Sequence, residues 1–224
     1  MISDKRLNTK TFVVLAMLSA IAYILASILR IPLVPAVSFL GYEPKDVVLV
    51  IAGFLYGPLA PLVMSVTISL IEGFTTSALG PIGIPMNLIS SCAFACTASF
   101  IYLKKHTLKG AIIGLAIGTV TVTGVMLLWN YALSPILMGW PRSVIRDLLI
   151  PGFLPFNLIK GTLNSAITVL LYKPIRKALG KSKLLPVPAS SDVKLSKVNL
   201  WALLVPAFII LTCAMVVLSM RGII

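Results

Sequence analysis

Acidic side chains are scarce in this chain. Its 224 residues hold six Asp and Glu, one His and three Cys, against 19 Lys and Arg. So few carboxylates and imidazoles leave no sequence cluster that would ligate a metal, and neither Gly-x-Ser-x-Gly nor His-Glu-x-x-His occurs. Gly180-Lys181-Ser182 has the ending of a phosphate loop, but Ile175 stands where its first glycine belongs. Hydrolysis of ATP by that route is excluded. Cys92, Cys96 and Cys213 all lie in apolar runs. Cys92 and Cys96 are spaced i, i+4, yet no His or acid lies near them in sequence, so they read as small helix-packing residues. The three cysteines offer no disulfide framework. His106 belongs to a basic loop and reads as solvated. With no catalytic set in view, the chain reads as a non-enzyme.

Apolar residues are abundant instead. They make up 58% of the chain, charged residues 11%, and mean hydropathy is +1.05. Several runs approach or exceed the roughly 20 residues that span a bilayer, which points to an all-α polytopic membrane protein. The first run, Thr11 to Leu29, is long for a signal peptide and reads as a retained helix. It carries two small-xxx-small pairs, Ala16 with Ala20 and Ala22 with Ala26, which let another helix approach closely. Arg30 to Lys45 follows, a loop broken by prolines and a glycine. Val34, Val37, Phe39, Leu40 and Tyr42 make it apolar for a loop, so it is expected to fold back over the bundle as a lid. The second span runs from Asp46 to Tyr56 and is short. The third is Pro58 to Ser77 with Glu72, and the fourth Met86 to Leu103 with Asn87 at its start. The fifth is Leu108 to Leu133, where Gly110, Gly114 and Gly118 form a helix-packing ridge. Ser134 to Leu154 is a loop, with room for a short helix between Pro141 and Leu149. The sixth span is Pro155 to Leu179, and a seventh, Asn199 to Met220, follows a polar linker.

Basic residues accumulate in the cytoplasmic loops of membrane proteins. With the N-terminus inside, the inner segments hold 13 of the Lys and Arg residues. The outer ones hold five, namely Arg30, Lys45, Arg142, Arg146 and Arg221, and Lys160 completes the 19. The net charge of +13 is therefore an orientation signal, with no basic domain for nucleic acid behind it.

This orientation gathers the membrane-depth polar groups in the outer half. Asp46 starts the second helix there, Asn87 the fourth, and Glu72 lies in the outer half of the third. Trp129, Asn130 and Tyr131 end the fifth. Asn157, Lys160 and Asn164 recur at i, i+3 and i+7 and share one face of the sixth. A charge inside a bilayer costs about 2.5–3.5 kcal/mol on insertion scales and usually faces a cavity or partner. Each group has a bland use of its own, as a helix cap, an interfacial aromatic or a Lys160–Glu72 ion pair. Five helices placing such groups at one depth argue instead for a one-sided pocket. Amides, an ammonium and aromatics suit a planar, polar, uncharged or anionic small molecule.

The chain resembles the substrate-binding (S) components of energy-coupling factor (ECF) vitamin transporters, most of all the riboflavin-specific ones. The resemblance rests on Ala16-x-x-x-Ala20, on Phe39-Leu40 with Asp46 leading into the second helix, on Asn130-Tyr131 followed by Pro135, and on Pro155-Phe156-Asn157-Leu158-Ile159-Lys160-Gly161. It covers residues from about 10 to 180. It implies a six-helix bundle with an outward pocket capped by the first loop. It also implies docking, through the small residues of helix one, to a transmembrane coupling subunit that carries two ATPase subunits. By the same resemblance Asn130, Asn157 and Lys160 would hydrogen-bond riboflavin, the transported ligand, with Asn87 and Asn164 as further candidates. Phe39, Leu40, Trp129 and Tyr131 join them, and Asp46 and Glu72 are added from depth alone. No cofactor is expected.

The expected organisation is a six-helix substrate-binding membrane domain at 1–180, a basic cytoplasmic linker at 181–198 and an additional transmembrane helix at 199–224. That last helix departs from the family pattern. Other readings stay open here: an S component for another vitamin or a phosphorylated flavin, or an intramembrane enzyme or proton-coupled carrier using Glu72 and Lys160. The enzyme lacks a dedicated second polar group at reacting distance, and the carrier predicts internal repeats that are not seen.

Overall fold

The computed structural model describes residues 9–77, 79–181 and 200–223. The chain folds as helices α1 (Thr9–Ile28), α2 (Lys45–Tyr56), α3 (Leu59–Thr75), α4 (Gly83–Lys104) and α5 (Leu108–Ala132), then α6 (Ser134–Met138), α7 (Arg142–Leu148), α8 (Leu154–Lys181) and α9 (Leu200–Met220). Among the described residues, five helical stretches are long and apolar enough to cross a membrane, carried by α1, α4, α5, α7–α8 and α9. α3 has 17 residues and α2 has 12. At 1.5 Å per residue α2 rises only about 18 Å, too little to cross the hydrocarbon alone. The stretch expected as a loop at 134–154 contains α6, α7 and a π-helical turn at Leu149–Phe153. Beyond Lys181, the expected linker lies outside the described residues.

Local sequence explains the breaks. Gly57 ends α2 at φ +94°, a conformation that side chains with a Cβ rarely adopt, and Pro58 then opens α3. Thr107 caps α5 by accepting a bond from the Gly110 amide at 3.0 Å. The glycine ridge of α5 lies against α4. A Cβ at Gly114 would stand 2.7 Å from the Ala98 carbonyl oxygen, and one at Gly118 would stand 2.9 Å from that of Phe94. Only glycine permits so close a backbone approach.

Two apolar cores result. The larger joins Leu49, Met64, Phe94, Ala98, Leu115 and Tyr172 with Leu15 and Ala22 of α1. The second lies under the segment between α1 and α2. There β1 (Ile31–Pro32) pairs antiparallel with β2 (Gly41–Tyr42), with Ile31 opposite Tyr42. This segment is the expected lid, and we call it the cap. Its Leu33, Val34, Val37, Leu40 and Tyr42 pack with Ile145 of α7, Phe153, and Phe156 and Ile159 of α8. Val37, Ile145 and Phe153 are fully buried, and each such burial is worth about 1.5–3 kcal/mol against exposure to water. Outside, Phe12, Met17, Phe74, Val120, Leu128 and Phe208 are exposed, as helices facing lipid require.

Helix α9, where a seventh span was expected, packs along α8, and its Cys213 and Val217 reach the cap core. At its end the Arg221 guanidinium donates to the Pro32 carbonyl of β1.

Candidate functional site

A cleft lies beneath the cap. It encloses about 540 Å³ of open space, its mouth included. Phe39, Leu40, Gly41 and Glu43 of the cap line it from above. Met86, Asn87 and Ser90 of α4, Met126 and Asn130 of α5, and Phe156, Asn157 and Lys160 of α8 line it from the sides. Arg30, Ser77 and Leu79 complete it. The first turns of α4 and α8 and the last turn of α5 thus meet at one end of the bundle.

The amides are held but not used up. Asn130 Nδ2 donates to the Met126 carbonyl at 2.7 Å, and its Oδ1 accepts from Ser134 Oγ at 3.0 Å. Asn157 Nδ2 donates to the Phe153 carbonyl at 2.8 Å. Asn87 Nδ2 lies 3.4 Å from Glu72 Oε2. A primary amide offers two donor hydrogens and two acceptor lone pairs, so each keeps capacity for a ligand. Phe39 is steadied edge-on by Trp140, with ring centroids 5.2 Å apart.

Beneath the cleft lies a buried charge network. Lys160 Nζ stands 3.4 Å from Asp46 Oδ2, and Asp46 Oδ1 accepts from Ser91 Oγ at 2.6 Å. Asn164 Nδ2 is 3.5 Å from the same Oδ2, while Asn164 Oδ1 accepts from the Tyr42 hydroxyl at 3.0 Å. Beside it Lys45 pairs closely with Glu72 and at 3.1 Å with Glu43, which Arg30 meets at 3.5 Å. Three cations and three carboxylates balance. Balance is what such depth demands, because removing one partner of a buried pair costs about 3–5 kcal/mol. Burial, then the neighbouring Asp46 charge, push the Tyr42 phenol above its ordinary range, so it stays protonated and a donor.

The sequence candidates therefore separate. Asn87, Asn130, Asn157, Lys160, Phe39 and Leu40 line the cleft. Asp46, Glu72 and Asn164 are buried below it and are not among its lining residues. Trp129 packs into the main core and Tyr131 is 48% exposed, so neither lines it either. Consecutive helical residues point about 100° apart, which turns both away when Asn130 faces in. Among the described residues no Lys160–Glu72 pair forms: Lys160 meets Asp46, and Glu72 meets Lys45. Arg142 and Arg146 are exposed on α7, away from the lining. On α1, Ala16 and Ala20 are exposed while Ala22 and Ala26 are buried. The pairs sit six residues apart, about 240° around a helix, so they cannot share an outward face.

Glu43, which lines the cleft, and Lys45, which pairs with it in the charge network, were not among the sequence candidates. Lys45 counted only as an outer-loop charge, yet it is 2% exposed. The available signal was Glu43-Pro44-Lys45-Asp46, two of the chain's six acids at the mouth of an apolar run.

Residues 10–172 match the family model described as ECF transporter, substrate-specific component. The chain is 31% identical over 179 residues to the riboflavin transporter RibU of Staphylococcus aureus (strain TCH60), covering 77% of this chain and 93% of that protein. It is 28% identical over 175 residues to the riboflavin transporter FmnP of Bacillus subtilis (strain 168), covering 74% and 92%. A solved structure, described as the S component of a bacterial ECF transporter, superposes with a TM-score of 0.66 at 32% identity, covering 76% of this chain and 97% of that one.

Proposed function

The chain belongs to the family of substrate-specific components of ECF transporters, and on that premise we propose that it binds riboflavin from the outer face and hands it to a separate ATP-driven coupling module. One observation carries the ligand class: three asparagine amides and one ammonium, from α4, α5 and α8, converge with Phe39 and Phe156 on a single capped cleft. A flavin ring presents carbonyl oxygens and an imide N–H along one edge and an apolar face to each side. Amides match the alternating edge, Lys160 meets a carbonyl oxygen, and the phenyl rings cover the face.

In this reading α1 to α5 and α8 are the six helices of the family bundle, with α6 and α7 as an insertion and α9 as an added seventh span. The N-terminus is cytoplasmic, which the loop charges favour. Ala16 and Ala20, exposed on α1, form the docking face for the coupling subunit, which brings two ATPase subunits. The motor must come from outside, because the family is one of binding components and the chain carries no nucleotide-binding motif. Glu72 and Lys160, having separate partners, supply no acid–base pair for the enzyme or carrier readings.

Titration decides the ligand. Purified in mild detergent and mixed with riboflavin, the protein is expected to quench flavin fluorescence at a one-to-one stoichiometry. Unchanged fluorescence from a folded sample rejects riboflavin.

A further inference from the structure

Resting on the flavin reading, we propose that Asp46 and Asn164 are positioning residues that tie the Lys160 ammonium to the closed position of the cap through Tyr42. The relay has four members on three elements. Tyr42 belongs to β2 of the cap, Asp46 to α2, and Asn164 and Lys160 to successive turns of α8. Lys160 lines the cleft; the other three do not. Asp46 and Asn164 are each 1% exposed.

The bonding leaves the relay one arrangement. Ser91 holds Asp46 Oδ1 at 2.6 Å, which fixes the carboxylate and directs Oδ2 at two donors, Lys160 Nζ at 3.4 Å and Asn164 Nδ2 at 3.5 Å. The Asn164 amide cannot turn round, for its carbonyl would then face the carboxylate. Its Oδ1 instead accepts from the Tyr42 hydroxyl at 3.0 Å, and that phenol remains a donor.

Opening the cap must withdraw Tyr42, because β2 lies above the cleft and carries it. The Asn164 carbonyl then loses its donor while buried, and such groups are seldom left unpaired. Asn164 has to rearrange, and with it the oxygen that it shares with Lys160. The place of the ammonium thus depends on the cap. Coupling is reciprocal, so a ligand that engages Lys160 in its held position favours the closed cap. A phenylalanine at 42 keeps the ring in the cap core and removes only the relay.

The test is a double-mutant cycle on the full chain. Riboflavin dissociation constants are measured by fluorescence quenching for wild type, Tyr42→Phe, Lys160→Met and the pair. Loss of the hydroxyl is expected to weaken binding about fivefold when Lys160 is present and less than about twofold when it is absent. Equal losses in both backgrounds, or no loss in the first, overturn the relay. A merely structural role for Tyr42 gives the equal losses. A second readout needs no ligand: Asp46→Asn, which lines neither cleft nor cap, is expected to speed hydrogen exchange of the cap amides between Leu33 and Tyr42 at least about threefold. Unchanged exchange overturns the relay. A wild type that leaves flavin unquenched rejects the flavin reading instead, and the exchange rates still decide the relay.

Discussion

Lys160 and Asp46 face each other at 3.4 Å under the cleft, although they lie 114 positions apart in the chain. Lys160 keeps 13% of its side chain exposed and Asp46 only 2%. The lysine is therefore the half of the pair that a ligand can reach, and the carboxylate is the half that keeps the charge affordable at this depth. Truncating the two should consequently give different phenotypes.

Lys160→Ala should weaken riboflavin binding at least about tenfold and also lower the melting temperature, since it leaves Asp46 buried without its cation. Adding Asp46→Asn removes that stranded charge. The double variant should recover much of the stability and none of the affinity. Thermal melting in detergent and flavin titration on the same samples separate the two effects. A double variant that binds like wild type removes Lys160 from the site.

Lys45 lies deeper and answers to two carboxylates. Lys45→Met should cost about 3–5 kcal/mol of stability, because Glu43 and Glu72 are then left to repel each other in a buried site. Glu72→Gln in the same chain should return part of that loss. If Lys45→Met melts with the wild type, the network contributes nothing to stability.

Much of this arrangement was legible in the amino acids, and the parts that were not share a cause. Apolar runs set the long helices, because bilayer thickness is a local constraint on chain length. The cap was legible as well, since an apolar, proline-broken segment such as Val34 to Tyr42 must cover something. Lys45 was not, because burying a charge depends on partners from other helices, here Glu72 of α3. Asn130 and Tyr131 are neighbours in sequence but have opposite environments, 2% and 48% exposed. Only the rotation of α5 within the bundle decides which of them faces in. The same rotation divides Ala16 and Ala20 from Ala22 and Ala26. As for α9, its apolar composition marked a span but held no information about which face of the bundle receives it.

The α4–α5 contact gives a packing prediction. Gly114→Ala places a methyl 2.7 Å from the Ala98 carbonyl oxygen, which is backbone and cannot swing aside. The helices must part, at a cost of about 1–3 kcal/mol. Because α4 carries Asn87 and α5 carries Asn130, flavin affinity should fall together with the melting temperature. Gly124→Ala is the control, since a methyl there meets nothing within 4 Å. It should leave affinity unchanged and should not lower the melting temperature, since alanine is the better helix former.

Helix α9 should act on rate. Arg221 donates to the Pro32 carbonyl, and Cys213 and Val217 pack against the cap core, so α9 holds the β1 side of the cap. Neither Arg221 nor Val217 lines the cleft, so removing them deletes no ligand contact. What they oppose is the lifting of the cap, which in the proposed reading widens the way out for the ligand. Arg221→Ala combined with Val217→Ala should therefore speed riboflavin release about two- to fivefold, the rate change that a lost hydrogen bond of roughly 0.5–1 kcal/mol implies for an exposed guanidinium. Stopped-flow displacement of bound riboflavin measures this directly. Association should change little if the cap spends most of its ligand-free time open, and should rise in parallel if it does not, so the ratio of the two rates reports the resting position of the cap. Release at the wild-type rate would leave α9 as a flank of the bundle with no hold on the cap.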